Sequence, residues 1–425
     1  MNLKLFGCVV LLILCLLDTA PASAGTNLIA YVDEAGDLYT IRPNGTDRHK
    51  LASGEVLQTI AFSGRLVKNG RDFYSWPVWS PDGTRLACFR VVAAEDEAEA
   101  TDELYIFEVT SSQVLNSYKA PGLRPIYAYW APNGQNIAVL LSGSGALSLG
   151  LWPASGGQRP RTVAQGVPFY FDWRADAQVL LVHKGGDPEA KEGHSVSLLD
   201  VESGKRSLVS RAPAAFGPPS WSSDEKWLVY GDAGKNGAKS ALMIAAADGS
   251  APKSFGVFPE KLALEWSPTQ PILAVATSSF VGDPLLDELR LIEVSSGKTQ
   301  TILKEQFVAY FWSPNGKRIL YAKRKRNTDL WTWAVVEVGD RKTYDVVDFA
   351  PSRPLLQVFQ YFDQYALSHR LWSPDSQHLV FTGSAGANAD PALALRNPTV
   401  YTVAARAHAT PQALSDGHIA FWSPQ

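Results

Sequence analysis

An all-β fold, a β-propeller of eight four-stranded blades, is predicted from two observations on the sequence. The first is a repeat, since Trp-Ser-Pro or a close variant of it recurs with 43 to 60 residues between consecutive copies. The second is that each copy lies among short apolar segments that alternate with period 2 and end at turn residues. Such a period is typical of a ring of small sheets, one for each repeat. The repeat tryptophans are Trp79, Trp130, Trp173, Trp221, Trp266, Trp312, Trp372 and Trp422.

One repeat contains four predicted strands. Residues 126–130 predict a first strand that ends at its Trp, and Pro-Asp-Gly or Pro-Asn-Gly then predicts a tight turn. In such a turn Pro fixes φ, and Gly or Asn accepts a positive φ. Residues 318–322, 289–294 and 299–303 are examples of second, third and fourth strands. We find no long helical pattern.

The two chain ends are complementary. Residues 28–51 predict a second, third and fourth strand with no Trp motif before them, whereas residues 418–424 predict a first strand with nothing after it. We expect the C-terminal strand to join the N-terminal three and close the ring, which leaves no exposed sheet edge. Seven complete copies and this composite predict eight blades. Seven blades, with one degenerate repeat outside the ring, is the alternative.

The repeat resembles that of a known family. Trp-Ser-Pro-Asp-Gly at 79–83, the apolar strands and the Asn-Gly or Asp-Gly turns are similar to the TolB-type, WD40-like propeller repeat, and to the propeller half of prolyl-oligopeptidase-like peptidases. The resemblance covers Leu28 to Gln425 and implies the fold, not an activity, because the shared residues are turn and core residues. TolB carries an α/β domain ahead of its propeller, and this chain has no room for one between the expected signal and the first strand, so TolB's role is not implied.

The N-terminal residues and the composition bear on where the protein works. Residues 1–24 are predicted to be a signal peptide, because Lys4, an apolar run and Ala22-Ser23-Ala24 match that pattern, with cleavage after Ala24. The run is too short to span a bilayer, although an uncleaved anchor is the alternative. Residues 25–425 are then one propeller domain, periplasmic or secreted and monomeric, with no stable membrane insertion. A net charge of −3 indicates no nucleic-acid partner.

Loop lengths predict which face binds. Turns between strands 1–2 and 3–4 are tight, whereas the connections at the other face are long and varied. Function concentrates on loops carried by a rigid scaffold, so we expect the long-loop face to engage a protein, peptide or glycan. The long connections are Ala52–Tyr74, Ala93–Glu103, Lys184–His194, Gly231–Ser240, Ser278–Asp287, Phe349–Arg370 and Gly383–Pro398.

Aromatic and ionisable residues before several Trp motifs predict a site at the mouth of the central channel. An aromatic-lined mouth could stack on a flat ligand, although packing between blades explains the same rings. The candidates for the mouth are Tyr127, Tyr170, Asp172, Tyr310, His369 and Arg370.

Catalytic motifs are missing from the sequence. It has no Gly-x-Ser-x-Gly elbow, no metal-ligand spacing among its histidines and no nucleotide-binding loop, so we predict no catalytic residue, metal or cofactor. Cys88, the one cysteine beyond the signal, is expected to be a buried core residue. Binding is therefore favoured over catalysis. A hydrolase or lyase at the channel mouth, with Asp172 and His369 as an acid–base pair, is the alternative.

Overall fold

Antiparallel strands make up most of the protein. The computed structural model describes residues 27–54, 71–93, 102–143, 145–186, 193–214, 217–233, 240–258, 262–278 and 285–425. Strands contain 57% of the described residues and helices 5%, which confirms the predicted all-β class. The predicted signal peptide, residues 1–24, lies outside the described residues. No helix within the described ranges is long and apolar enough to cross a membrane.

The first half of the chain contributes fourteen strands, numbered in chain order. They are β1 (Ile29–Val32), β2 (Leu38–Ile41), β3 (His49–Ala52), β4 (Arg71–Trp79), β5 (Arg85–Ala93), β6 (Glu103–Glu108), β7 (Val114–Lys119), β8 (Arg124–Trp130), β9 (Asn136–Gly143), β10 (Ala146–Pro153), β11 (Arg161–Trp173), β12 (Val179–Gly186), β13 (Ser195–Asp200) and β14 (Arg206–Ser210).

The second half adds sixteen strands and three short helices. They are β15 (Ser220–Trp221), β16 (Trp227–Ala233), β17 (Ser240–Ala246), β18 (Lys253–Phe258), β19 (Leu262–Trp266), β20 (Ile272–Thr277), β21 (Leu286–Glu293), β22 (Lys298–Phe307), β23 (Ala309–Trp312), β24 (Arg318–Arg324), β25 (Trp331–Glu337), β26 (Thr343–Pro351), α1 (Arg353–Gln360), α2 (Phe362–Tyr365), β27 (His378–Ala385), α3 (Pro391–Arg396), β28 (Thr399–Ala404), β29 (Gln412–Asp416) and β30 (Ile419–Trp422).

These strands pair into six sheets, four with four strands and two with seven. In one seven-stranded sheet the long strand β11 pairs with β10 through its first half and with β12 through its second half. Strand β26 likewise pairs with both β25 and β27. The last strand of the chain pairs with the first, Trp422 opposite Ile29 and Ile419 opposite Val32, in the order β3-β2-β1-β30. The two incomplete chain ends thus form one sheet.

The Trp-Ser-Pro-Asp-Gly sequence builds its own turn. Ser80 Oγ donates to Asp82 Oδ1 at 2.6 Å and accepts from the backbone N–H of Arg85 at 2.9 Å. Asp82 Oδ1 also accepts from Thr84 N at 3.1 Å, and Gly83 has a φ of 69°. The hydroxyl and the carboxylate satisfy backbone groups of the turn, and glycine adopts the left-handed conformation at no steric cost.

The motif tryptophans link consecutive repeats. Six indole N–H groups each donate to a backbone carbonyl of the preceding repeat, and the acceptor is always the residue just before that repeat's own tryptophan. One of these bonds, from Trp79 to Phe421, joins the first Trp repeat to the last strand. The bonds are Trp79 to Phe421 (3.2 Å), Trp130 to Val78 (3.0 Å), Trp173 to Tyr129 (3.2 Å), Trp266 to Ser220 (3.2 Å), Trp312 to Glu265 (3.3 Å) and Trp372 to Phe311 (3.2 Å).

Two tryptophans depart from this pattern but still contact the preceding repeat. The indole nitrogen of Trp221 has no hydrogen-bond partner, and its backbone N–H donates to Asp172 Oδ2 at 2.9 Å. The indole of Trp422 donates to Asn27 Oδ1 at 2.9 Å, and its backbone N–H donates to the carbonyl of Arg370 at 2.8 Å. Hydrogen bonds therefore connect all eight Trp repeats in a closed cycle.

The connection Phe349–Arg370 folds inward, contrary to its expected place among surface loops. Residues 352–369, here called the plug, contain α1 and α2 and pack against first strands around the ring. Gln364 donates to the Phe171 carbonyl at 2.9 Å and accepts from the Phe171 N–H at 3.2 Å. Phe362 lies 5.0 Å from Tyr310 between ring centroids, and Tyr365 stacks on Trp76 at 4.9 Å. An apolar, aromatic segment in this position fills the central channel, the space that the first strands enclose.

We predict that Trp79→Phe destabilises the protein more than Trp221→Phe does. The two side chains are equally buried, each 7% exposed, and lose the same volume, but only the Trp79 indole has an acceptor. The free energy of unfolding measured in urea should differ by about 1–2 kcal/mol between the variants, because the Phe421 carbonyl loses its partner. Equal losses would show that this bond contributes nothing to stability.

Candidate functional site

A pocket of about 360 Å³ opens at the end of the ring that carries the motif turns. The residue before each of six motif tryptophans lines its wall, and Ala366, Leu367 and His369 at the end of the plug contribute to its lining. Turn residues such as Pro132 and Pro268 form its rim. The six wall residues are Tyr129, Asp172, Ser220, Glu265, Phe311 and Leu371.

Strand alternation explains this wall. Successive side chains of a strand point to opposite faces, so the residue before the Trp has the same orientation in each first strand. In six of the eight repeats this residue lines the pocket, where it supplies an acid at 172, a hydroxyl at 220 and an acid at 265. The chemistry of the pocket is therefore set by one variable position of an otherwise regular repeat.

Two carboxyl groups of the wall are held in an environment that favours their neutral forms. Burial raises the pKa of Asp172 to about 7, although backbone N–H groups of Trp221 and Trp173 oppose the shift. Burial raises the pKa of Glu265 well above its usual range, opposed by a backbone N–H of Trp312. A carboxyl group with a pKa near 7 exchanges its proton at neutral pH, which is the property of a general acid or base.

A histidine and an arginine, His369 and Arg370, also line this pocket. Burial lowers the pKa of His369 to about 3, so its imidazole is neutral at physiological pH. Its Nδ1 lies 2.7 Å from Ser368 Oγ. Arg370 is exposed within the pocket, yet protein surrounds it closely enough to lower the pKa of its guanidinium. The charge of Arg370 acts on the Tyr129 hydroxyl, which also feels the Asp172 carboxyl.

Four buried polar atoms in the pocket lining have no hydrogen-bond partner. Five buried side-chain atoms elsewhere in the described chain share this state. Polar groups removed from water are normally paired, because leaving one unpaired costs about 1–3 kcal/mol. The four such atoms around one cavity make that cavity a candidate binding site. The four atoms are Ser220 Oγ, Trp221 Nε1, Glu265 Oε2 and His369 Nε2.

Of the six residues predicted for the channel mouth, Asp172, His369 and Arg370 line this pocket. Tyr127 is covered by the plug, and its hydroxyl donates to the Gln364 carbonyl at 2.9 Å. Tyr310, which is two residues before Trp312, packs on the same side as that Trp, and its hydroxyl donates to the Ala274 carbonyl at 3.0 Å.

Tyr170, the sixth candidate, is also outside the pocket lining. It is buried, and its ring lies 5.7 Å from that of His183. Sequence reasoning missed Tyr129, Ser220 and Glu265, although the position before each Trp was the signal that could have found them.

The pocket opens at the face where we expected only tight turns. The long-loop face was predicted as the binding surface, but the Phe349–Arg370 connection fills the channel from that side. Most residues of the other predicted long loops, 55–70, 94–101, 187–192, 234–239 and 279–284, lie outside the described residues. Binding at that face stays a prediction.

Metal and thiol chemistry have little support in the described part of the chain. There, no three or more His, Cys, Asp or Glu side chains form a group that could hold a metal ion. Cys88 is buried in β5, and burial raises the pKa of its thiol, so it has the character of a core residue.

The chain resembles solved structures of propeller proteins at low sequence identity. A eukaryotic initiation factor aligns with a TM-score of 0.53 and 11% identity over 94% of this chain and 98% of that one. Oligogalacturonate lyase from Vibrio parahaemolyticus gives 0.51 and 12% over 77% and 84%, and TolB from Acinetobacter baumannii gives 0.40 and 13% over 82% and 86%. No protein-family model and no curated protein matches the chain. Identities this low show the fold alone, which is a β-propeller.

We predict that Asp172→Asn changes how stability depends on pH. The pKa of Asp172 is about 7 in the folded protein against 3.8 ordinarily, so the folded state holds the proton more tightly and loses stability as pH rises from about 4 to 7. Asparagine stays neutral and can still accept from Trp221 N–H. Relative to wild type, the variant should gain on the order of 2–3 kcal/mol between pH 5 and pH 8 in urea unfolding.

Asp248→Asn is the matched control for this comparison. Hydrogen bonds from Ser250 lower the pKa of this exposed carboxyl, so both states are ionised from pH 5 to 8 and its difference from wild type should stay constant. The account of Asp172 is wrong if its variant also runs parallel to wild type.

Proposed function

We propose that this chain is an exported, eight-bladed β-propeller that works as a binding protein, with its ligand site in the pocket at the motif-turn end. The ring supplies a rigid scaffold, and one position of each repeat supplies the side chains that contact the ligand. The four unpartnered polar atoms of the pocket lining carry this proposal, because a ligand with hydroxyl, amide or carboxyl groups would satisfy them.

Eight blades are supported by the cycle of hydrogen bonds among the Trp repeats. Each seven-stranded sheet divides into two blades. In the first of these sheets the long strand β11 is both the last strand of one blade and the first strand of the next. In the second, β26 ends one blade, and Trp372, which forms an isolated bridge with Leu379, supplies the short first strand of the group β27–β29. Seven blades would leave one member of the cycle outside the ring.

A second surface belongs to the same proposal. The long-loop face would engage a protein, peptide or glycan partner, as its varied loops predict. Helix α3 interrupts the described connection there, and Leu393 and Leu395 are exposed on it at 46% and 40%. We further propose that residues 1–24 direct export to the periplasm or beyond, and that residues 25–425 then form one monomeric domain.

Ala175→Trp should abolish ligand binding at the pocket. Ala175 is an exposed turn residue on the pocket rim, so a large side chain there blocks the opening without disturbing the core. Lys317→Trp, on another exposed motif turn but outside the lining, is the control and should bind as wild type does. Binding of small saccharides and di- and tripeptides would be measured by ligand-observed NMR and calorimetry. If no compound binds, or if Ala175→Trp binds every one equally well, the pocket is not the ligand site.

A hydrolase or lyase is the second candidate function, favoured by two carboxyl groups in one pocket. Burial raises the pKa of Asp172 to about 7 and raises that of Glu265 well above its usual range. Paired carboxyls whose surroundings shift their pKa values can divide the roles of acid and base. Asp172 would be the group that exchanges protons, and Glu265 the neutral donor.

If the protein is such an enzyme, Asp172→Asn and Glu265→Gln should each lower kcat by a factor of about 100 or more while the substrate still binds. The rate should also show a pH limb near 7 that disappears in Asp172→Asn, because that variant has no carboxyl to titrate. Oligosaccharide and peptide substrates would be screened with and without a chelator to detect a metal requirement. Turnover that persists in both variants would rule out these roles.

A further inference from the structure

Arg370 presents a cation to the pocket that the described protein does not neutralise. Its guanidinium forms no ion pair or hydrogen bond with any described residue, unlike Arg290, which pairs with Glu288, and Arg85, which donates to the Gly134 carbonyl. The backbone of Arg370 is fixed, because its carbonyl accepts from Trp422 N–H at 2.8 Å. Because the side chain is exposed, its guanidinium is open to a ligand of opposite charge that enters the pocket.

Three of the four unpartnered atoms of the pocket lining can donate a hydrogen bond. The indole nitrogen of Trp221 can only donate, and the Ser220 hydroxyl can donate as well as accept. Glu265 Oε2 belongs to a carboxyl group whose neutral form is favoured by burial, and in that form the group can also donate. One cation together with neutral O–H and N–H donors is a set that suits a ligand rich in oxygen acceptors.

We propose that the pocket recognises the carboxylate group of a small ligand, with Arg370 as its cation and the Trp221 indole and Ser220 hydroxyl as further donors. The proposal deepens the proposed function and rests on it, since it presumes that the pocket is the ligand site. Guanidinium forms paired hydrogen bonds with the two oxygens of a carboxylate. A singly charged group fits better than a phosphate dianion, because the pocket lining has one cation, Arg370, and three carboxyl groups, those of Asp172, Glu225 and Glu265, which repel negative charge when ionised.

The affinity of the pocket for a carboxylate should depend on pH, because side chains of the pocket lining ionise. The titratable groups of the pocket lining are Arg370, His369 at the end of the plug, Tyr129 on β8, Asp172 on β11, Glu225 in the turn after Trp221 and Glu265 on β19. The pKa of Asp172 is about 7, so this carboxyl group changes charge between pH 6 and 8, whereas His369 stays neutral because burial lowers its pKa to about 3. A carboxylate should therefore bind more weakly above pH 7, and an ammonium ligand would show the opposite trend.

The test compares charged and neutral forms of the same small molecules. Glucuronate is compared with glucose, and alanyl-alanine with its C-terminal amide, so that the sugar and peptide sources of a carboxylate are distinguished; inorganic phosphate is a third probe. Dissociation constants are measured by calorimetry and ligand-observed NMR at pH 6 and pH 8. The variants are Arg370→Gln, Arg370→Lys, Asp172→Asn and, as the matched control, Arg406→Gln, which removes an exposed arginine elsewhere.

We expect at least one carboxylate to bind at least tenfold more tightly than its neutral counterpart at pH 6. Arg370→Gln should remove that preference, Arg370→Lys should restore part of it, and Arg406→Gln should leave it within twofold of wild type. Wild type should bind the carboxylate several-fold more weakly at pH 8, and Asp172→Asn should not. Unfolding temperatures check that the variants are folded.

Three results would overturn the carboxylate proposal: equal binding of charged and neutral forms, a preference for phosphate, or a preference that survives Arg370→Gln. If a neutral ligand binds and Ala175→Trp blocks it, the proposed pocket function stands while the carboxylate inference fails. If Ala175→Trp blocks nothing, both fail.

Discussion

Where an indole N–H of one repeat donates to a backbone carbonyl of the preceding repeat, the first strands of the two repeats are held at one height in the ring. Six motif tryptophans make this bond, and the one from Trp79 to Phe421 joins the start of the repeats to the end of the chain. A sheet with a single Trp at the end of its first strand can meet its neighbour in only one register. The spacing of the first strands, the width of the channel and the side chains that face it all depend on that contact.

The candidate site lies where this pattern changes. At Trp221 the indole is left without an acceptor, and the carboxyl group of Asp172 accepts the backbone N–H instead. The plug closes the channel from the other side and brings His369 and Arg370 to the same cavity. The cavity contains a cation, two carboxyl groups of raised pKa and unpaired donors. These groups destabilise the fold locally but can bind a ligand. Functional sites commonly depart from a regular fold in this way.

The sequence was sufficient for the repeat and its turns because both depend on local chemistry. Trp-Ser-Pro-Asp-Gly encodes its own hydrogen bonds, and the incomplete chain ends encode the pairing of β30 with β1. The plug could not be predicted, because its helices are short and are stabilised by contacts with distant strands, as Gln364 is by Phe171. Tyr310 and Asp172 show the same limit of sequence-based prediction within the site. Strand alternation predicts that they point to opposite faces of their strands, because Tyr310 is two residues before a Trp and Asp172 is one. Only the packed ring shows which of the two lines the pocket.

Exchange of the indole protons with solvent tests the central claim most directly. In a closed ring the bond from the Trp79 indole to the Phe421 carbonyl is equivalent to the bonds between other consecutive repeats. The Trp79 indole proton should therefore exchange only on global unfolding. Two-dimensional NMR of the ¹⁵N-labelled protein in D₂O would compare the Trp79 indole with that of Trp266, which bonds within the chain interior to Ser220. The account predicts equal protection of the two. Rapid exchange at Trp79 alone would show that the chain ends separate in the native state, and would contradict it.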